Sequence, residues 1–164
     1  MIPYYRHVLV AVDLSEQDTY VAQKASHLCQ VFHAKLSVIH VLDNIPMPDT
    51  AYGTIIPLNQ DSSDEMLETV KARLRKLGDL LAIEPEHRWM VWGVPGEEIV
   101  RTARQEHVDL IMVGSHGRHG LGLLMGSTAN RVLHHAPCDV MAVRFPQEAE
   151  RPAPLRKFME NPSG

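Results

Sequence analysis

The residues with the clearest chemical promise lie between Val108 and Val132, in the run VDLIMVGSHGRHGLGLLMGSTANRV. Five of the 13 residues from Gly114 to Gly126 are glycine (Gly114, Gly117, Gly120, Gly122, Gly126), and Ser127 and Thr128 follow directly. Glycine lets a backbone approach an anion closely, and a helix N-terminus offers unpaired N–H groups with a partial positive charge. A glycine loop that leaves a buried strand and enters a helix at Ser-Thr is a phosphate-binding arrangement. The plain alternative is a glycine-rich surface loop ending in an ordinary Ser/Thr cap. Asp13 closes an apolar run at the other end of the chain. Its carboxylate can accept hydrogen bonds from a ribose or adenine or sit near Mg2+, and it can equally cap the helix that follows. Arg118, inside the loop, can offset phosphate charge or simply face solvent.

Such residues work only if a scaffold brings them together. His7–Asp13 (HVLVAVD) reads as a buried strand, and Leu36–Leu42 (LSVIHVL) as a second. Between them, Val21, Ala22, Ala25, Leu28, Cys29 and Phe32 keep helical spacing to about His33, after a start where Ser15 and Asp18 resemble a capping box. Strand, helix, strand within about 40 residues implies a right-handed crossover and a parallel sheet. Residues 43–61, with Pro46, Pro48, Gly53 and Pro57, show no period and read as a functional flap or a solvated excursion. Ser62-x-x-Glu65 reads as a capping box before a stripe of Leu67, Val70, Leu74, Leu77 and Leu81. Arg88–Trp92 is a third strand, and Pro95 opens a third helix with Glu97 and Glu98 in its first turn. The run from Val108 is the fourth strand, a fourth helix buries Ala129, Val132 and Leu133, and Cys138–Val143 is the fifth strand.

Alternating strands and helices predict an α/β fold: one doubly wound domain whose five-stranded parallel sheet has order 3-2-1-4-5 and helices on both faces. In that order the first and fourth strands are neighbours, so Asp13 and the glycine loop share the crevice beyond their carboxyl ends. The domain spans residues 1–145. Residues 146–164 are rich in proline and mixed charge and read as a C-terminal extension, with one short helix near Leu155–Glu160.

Composition narrows the function classes. A net charge of −4 gives no electrostatic reason to expect nucleic acid as a partner. No apolar run approaches the roughly 20 residues of a membrane span, and the first residues do not form a signal peptide. Cys29 and Cys138 each sit in an apolar pattern and read as core residues of a reducing compartment, so a cytoplasmic location is expected. A dinucleotide fingerprint or flavodoxin-type phosphate loop would follow the first strand, a Walker loop needs a Gly-Lys pair, and a receiver domain needs an aspartate after the third strand. None is there. His116 with His119, and His134 with His135, lack the further ligand that zinc spacing requires, so no protein metal site is expected. His40 reads as a satisfied core residue.

Gly114-Ser115-His116-Gly117 followed by Gly126-Ser127-Thr128 resembles the nucleotide motif of the universal stress proteins, written G-x2-G-x9-G-S/T. Here eight residues separate Gly117 from Gly126, so the loop is one residue shorter. VLVAVDLS at residues 8–15, Gly93-x-Pro95 with Glu97-Glu98-Ile99-Val100, and Pro137-Cys138-Asp139-Val140 are also similar to that family. The resemblance covers roughly Tyr5–Arg144. It implies ATP across the crevice, with Val12, Asp13 and Val41 lining adenine and ribose. Val113, Gly114, His116, Gly117 and Arg118 would approach ribose and phosphates, and Gly126, Ser127 and Thr128 would hold the phosphate tail. It also implies a homodimer through the last strand. Catalytic groups are not evident, although His116 could aid a slow hydrolysis. The expected function is an ATP-binding stress or regulatory module with weak or no hydrolysis. The alternatives are a nucleotide-independent dimeric regulator and a slow ATP hydrolase or phosphotransferase.

Overall fold

A computed structural model describes residues 4–45, 52–115 and 125–146. The elements run β1 (His7–Val12), α1 (Glu16–Phe32), β2 (Lys35–Leu42), α2 (Glu65–Leu80), β3 (Arg88–Trp92), α3 (Pro95–Gln105), β4 (Leu110–Gly114), α4 (Ser127–His135) and β5 (Asp139–Val143). A 3-10 turn, Pro85–His87, precedes β3. The five strands form one sheet in the order β3-β2-β1-β4-β5, every neighbouring pair parallel, as the alternation of strand and helix predicts.

The sheet divides the core into two layers. Val8, Val10 and Val12 of β1 pack with Val21, Ala25 and Leu74 of α1 and α2. Leu9 and Ala11, one pleat over, pack with Ile99, Ala103 and Val132 of α3 and α4. β1 is central, its six residues are all buried, and so it has no polar alternation to show. α4 is drawn toward α3 at Gly96: a Cβ there would lie 2.8 Å from the Arg131 Cβ, and Arg131 pairs with Glu97 in the same turn. This contact fixes where the N-terminus of α4 stands.

Four local expectations are corrected. The Ser15 side chain makes no cap bond, because Asp18 turns its carboxylate past it to the Asp13 N–H. α2 is capped by Asp64, which accepts the Leu67 N–H at 3.1 Å, while Glu68 reaches back to the Ser62 N–H at 2.8 Å, so the capping pair lies outside Ser62-x-x-Glu65. Leu133 is 42% exposed, because α4 buries a face of Ala129 and Val132 only. The segment before α2 is no mere excursion: Ile55 bridges Val91 in antiparallel sense, and Gly53 N–H and Ile56 N–H donate to the Trp92 and Met90 carbonyls at 2.6 and 2.8 Å. Cations fasten it there, Lys71 on the Gln60 carbonyl at 2.8 Å, Arg75 on Leu58 and Arg101 on Gly53 at 2.9 Å. The outer edge of β3 is thereby covered, leaving β5 as the uncovered edge among the described residues. The 146–164 extension, apart from Pro146, lies outside them.

Candidate functional site

β1 ends at Val12, where His40 Nδ1 donates to the Val12 carbonyl at 2.8 Å. His40 is buried, which makes it the satisfied core residue its strand context predicts. Asp13 follows, and Leu14 then takes a left-handed φ of 61°, a conformation that bulky residues avoid without support. The support is polar. Asp13 Oδ1 accepts the Ser15 N–H at 2.8 Å, and Asp18, in the first turn of α1, accepts the Asp13 N–H. Asp13 thus closes the turn ahead of α1 through the Ser15 N–H, while the start of the helix itself receives no side-chain cap bond. Asp18 is buried, and burial, with hydrogen bonding to Asp13 behind it, pushes its carboxyl well above the usual carboxylate range.

On the neighbouring strand, Gly114 ends β4 and the Ser115 N–H donates to the Val143 carbonyl of β5 at 2.9 Å. Gly126 returns to the same point, its N–H donating to the Ser115 carbonyl at 2.8 Å. The chain that leaves β4 therefore comes back to it before α4 begins. Gly126 is the N-cap, with φ −60° and ψ 152°, and offers no side chain to the helix. The first backbone bond inside α4 runs from the Asn130 N–H to the Gly126 carbonyl at 3.0 Å. The N–H groups of Ser127, Thr128 and Ala129 precede it and, among the described residues, are uncapped by any side chain, the state in which a helix start can hold an anion. No acidic residue stands in that first turn.

β1 and β4 pair Val8 with Leu110 and Val10 with Met112, so the same register carried two residues on sets Val12 beside Gly114. β2 pairs His40 with Val12, which sets Val41 level with Asp13. Asp13, Gly114, Gly126, Ser127 and Thr128 accordingly meet at the carboxyl ends of adjacent strands. Val12, Val41 and Val113 reach the same end, but their side chains are core: Val12 on the α1/α2 side, Val41 and Val113 on the α3/α4 side. What they present at the strand ends is backbone. His116, Gly117 and Arg118, with His119, Gly120 and Gly122, lie outside the described residues. His134 and His135 are exposed at the end of α4, and among the described residues no group of three His, Cys, Asp or Glu side chains could hold a metal. Both thiols are pushed up to about 11 by burial, which keeps them protonated and unreactive.

The pairing of Asp18 with the Asp13 N–H has no signal in the sequence, where the spacing of Asp18 from Ser15 suggests a capping box instead. It also missed the left-handed Leu14, for which a leucine gives no signal.

The same fold recurs in known proteins. The model of the universal stress protein family matches residues 4–144. The chain is 40% identical over 142 residues to universal stress protein A homolog 2 of Coxiella burnetii, covering 86% of this chain and 96% of that one. Among solved structures, a universal stress protein in complex with cAMP aligns with a TM-score of 0.63 at 23% identity, over 88% of this chain and all of that one. The protein MJ0577 aligns with a TM-score of 0.70 at 22% identity, over 89% of this chain and all of that one. Among the described residues, no helix is long and apolar enough to cross a membrane.

Proposed function

This chain belongs to the universal stress protein family, and we propose that it is an ATP-binding member, a nucleotide-responsive regulatory module with weak or no hydrolysis. The observation that carries the reading is the uncapped start of α4, pinned by Gly126 to the end of β4 and one strand away from Asp13. A phosphate tail would lie on the N–H groups of Ser127, Thr128 and Ala129, with the Ser127 and Thr128 hydroxyls beside it, and Gly114 would leave room for the chain of the ligand. The nucleoside end would then extend over β1 toward Asp13 and Val41. Mg2+ would travel with the phosphates and its own waters, the usual state of this ion, with the Asp13 carboxylate available on the adjoining strand end. The complex of a related protein with cAMP supports an adenine nucleotide as the ligand class.

Two further parts of the reading follow from the same fold. A homodimer through β5 is supported by the cover on β3 and by the partly exposed Val140, Met141 and Leu133 at the open side. A mass near 18.4 kDa in light scattering would refute it. A cytoplasmic site of action accords with two free, unreactive cysteines.

The deciding experiment is an acid extract of freshly purified protein, together with melts in MgATP. Ligand at 100 times its Kd stabilises by about 2.7 kcal/mol. Bound ATP, or that rise in stability, supports the reading. Unchanged melting and no nucleotide would replace it with a nucleotide-independent dimeric regulator. Rapid ADP production at about 10 s⁻¹, an ordinary enzyme rate, would make the protein a hydrolase or phosphotransferase instead.

A further inference from the structure

α3 and α4 touch where α3 carries Gly96, a buried residue of its first turn. A Cβ at that position would meet Arg131 Cβ and Cδ at 2.8 Å and Cγ at 2.9 Å. Carbon atoms in packed contact stand about 3.5–4.0 Å apart, so no side chain fits there unless one helix moves. The glycine is not needed for its backbone, because residue 96 is helical and alanine is the better helix former. What it supplies is space. Beside it, the ion pair of Arg131 with Glu97 is half-exposed at both ends, and such pairs contribute little, so packing sets the seat of α4. Arg131 lies four residues after Ser127, one turn further along the same face of α4. A second hold on this helix is the Gly126 N–H on the Ser115 carbonyl.

We propose that Gly96 is a positioning residue for the phosphates, seating α4 against α3 so that the N–H groups of Ser127, Thr128 and Ala129 are aimed together at the ligand. The inference rests on the nucleotide reading above. A methyl group at residue 96 pushes Arg131 away by about 1 Å, the distance that restores ordinary carbon contact. Gly126 stays pinned to Ser115, and five residues at 1.5 Å put Arg131 roughly 7.5 Å along the axis from it. The helix therefore pivots by roughly 8°, and the three N–H groups turn with it. That rotation approaches the roughly 10–20° within which a preorganised site keeps its geometry, so all three bonds to a phosphate weaken and none is lost outright.

The test titrates MgATP into the full chain by calorimetry. Gly96→Ala is expected to weaken binding roughly three- to tenfold, the scale of hydrogen bonds impaired but not removed. Melting without ligand checks that the variant is folded. A role in packing alone would move the melting temperature and leave the affinity of the folded protein unchanged. The rescue takes the opposing Cβ away: in an Arg131→Gly background, Gly96→Ala is expected to weaken binding less than about twofold. Where Arg131→Gly does not fold or bind, Arg131→Ala clears Cγ and Cδ and is the background, and the loss is expected to shrink by about half. Gly96→Ala binding MgATP within about twofold of wild type would overturn the inference and leave the nucleotide reading standing. So would an equal loss in both backgrounds. Wild type that binds no MgATP would overturn both.

Discussion

Replacing Gly126 with aspartate separates the stability of α4 from its proposed work. At φ −60° and ψ 152° the backbone is in a region any residue adopts, and aspartate keeps the N–H that donates to Ser115. As an N-cap, aspartate improves on glycine by a few tenths of a kcal/mol. Its charge at a helix start adds about 0.3–1 kcal/mol where the first turn carries no other acid. The sum is roughly 0.5–1 kcal/mol, which for 164 residues raises Tm by about 1–4 °C. A phosphate on the same N–H groups would meet a like charge at roughly 4 Å, which costs about 4 kcal/mol at an effective dielectric near 20. At 1.4 kcal/mol per decade, affinity falls roughly a thousandfold. Melts without ligand and calorimetric titration with MgATP read the two effects separately. A Gly126→Asp protein that melts like wild type or above it, yet binds MgATP within threefold of wild type, refutes α4 as the phosphate site. A loss of more than about 2 kcal/mol without ligand would instead show that the N-cap is not free to take a side chain.

Two buried groups give pH dependences of opposite sign. His7 bonds Ser37 Oγ at 2.7 Å and the Glu106 carbonyl at 3.1 Å, and burial, with Lys35 behind it, lowers its pKa. The folded state holds it neutral, so its contribution is complete above the ordinary value near 6.5 and is lost as pH falls through and below that value. Between pH 7.5 and 5, wild type is expected to lose stability against His7→Gln, which itself costs about 1–3 kcal/mol at pH 7.5 by stranding the buried Ser37 hydroxyl. Parallel melting profiles would count against this. For Asp18 the raised pKa means a folded state that favours the neutral acid, so its contribution is complete below the usual carboxylate range and fades as pH rises. Asp18→Asn keeps an oxygen for the Asp13 N–H and is expected to gain on wild type between pH 4 and pH 8. A constant difference across that range would sink the assignment.

The parts of this molecule that were legible in the sequence are those whose physics is local. β1, β2 and β4 show as short apolar runs because a central parallel strand is buried on both faces and has no side to leave polar. α2 and α3 show as stripes because each buries one face only, and the crossover rule turns that alternation into a parallel sheet. The Gly126–Ser127–Thr128 start of α4 is legible for the same reason: its chemistry belongs to the backbone, and glycine announces what the backbone does.

What escaped reading is decided between distant residues. Asp18, whose spacing from Ser15 suggests a capping box, is buried and accepts the Asp13 N–H instead, a contact set by how the β1–α1 turn folds back and not by spacing. Residues 52–56 carry no strand period, yet they pair with β3 because an open edge and the cations Arg75 and Arg101 await them. Asn44 and Glu65 are 21 positions apart, with no shared period and no motif, yet the return of the chain along β3 brings them to one open cleft with Asp13. On the proposed reading the phosphates are held by backbone geometry at the start of α4, which is why that part of the site can be read from spacing.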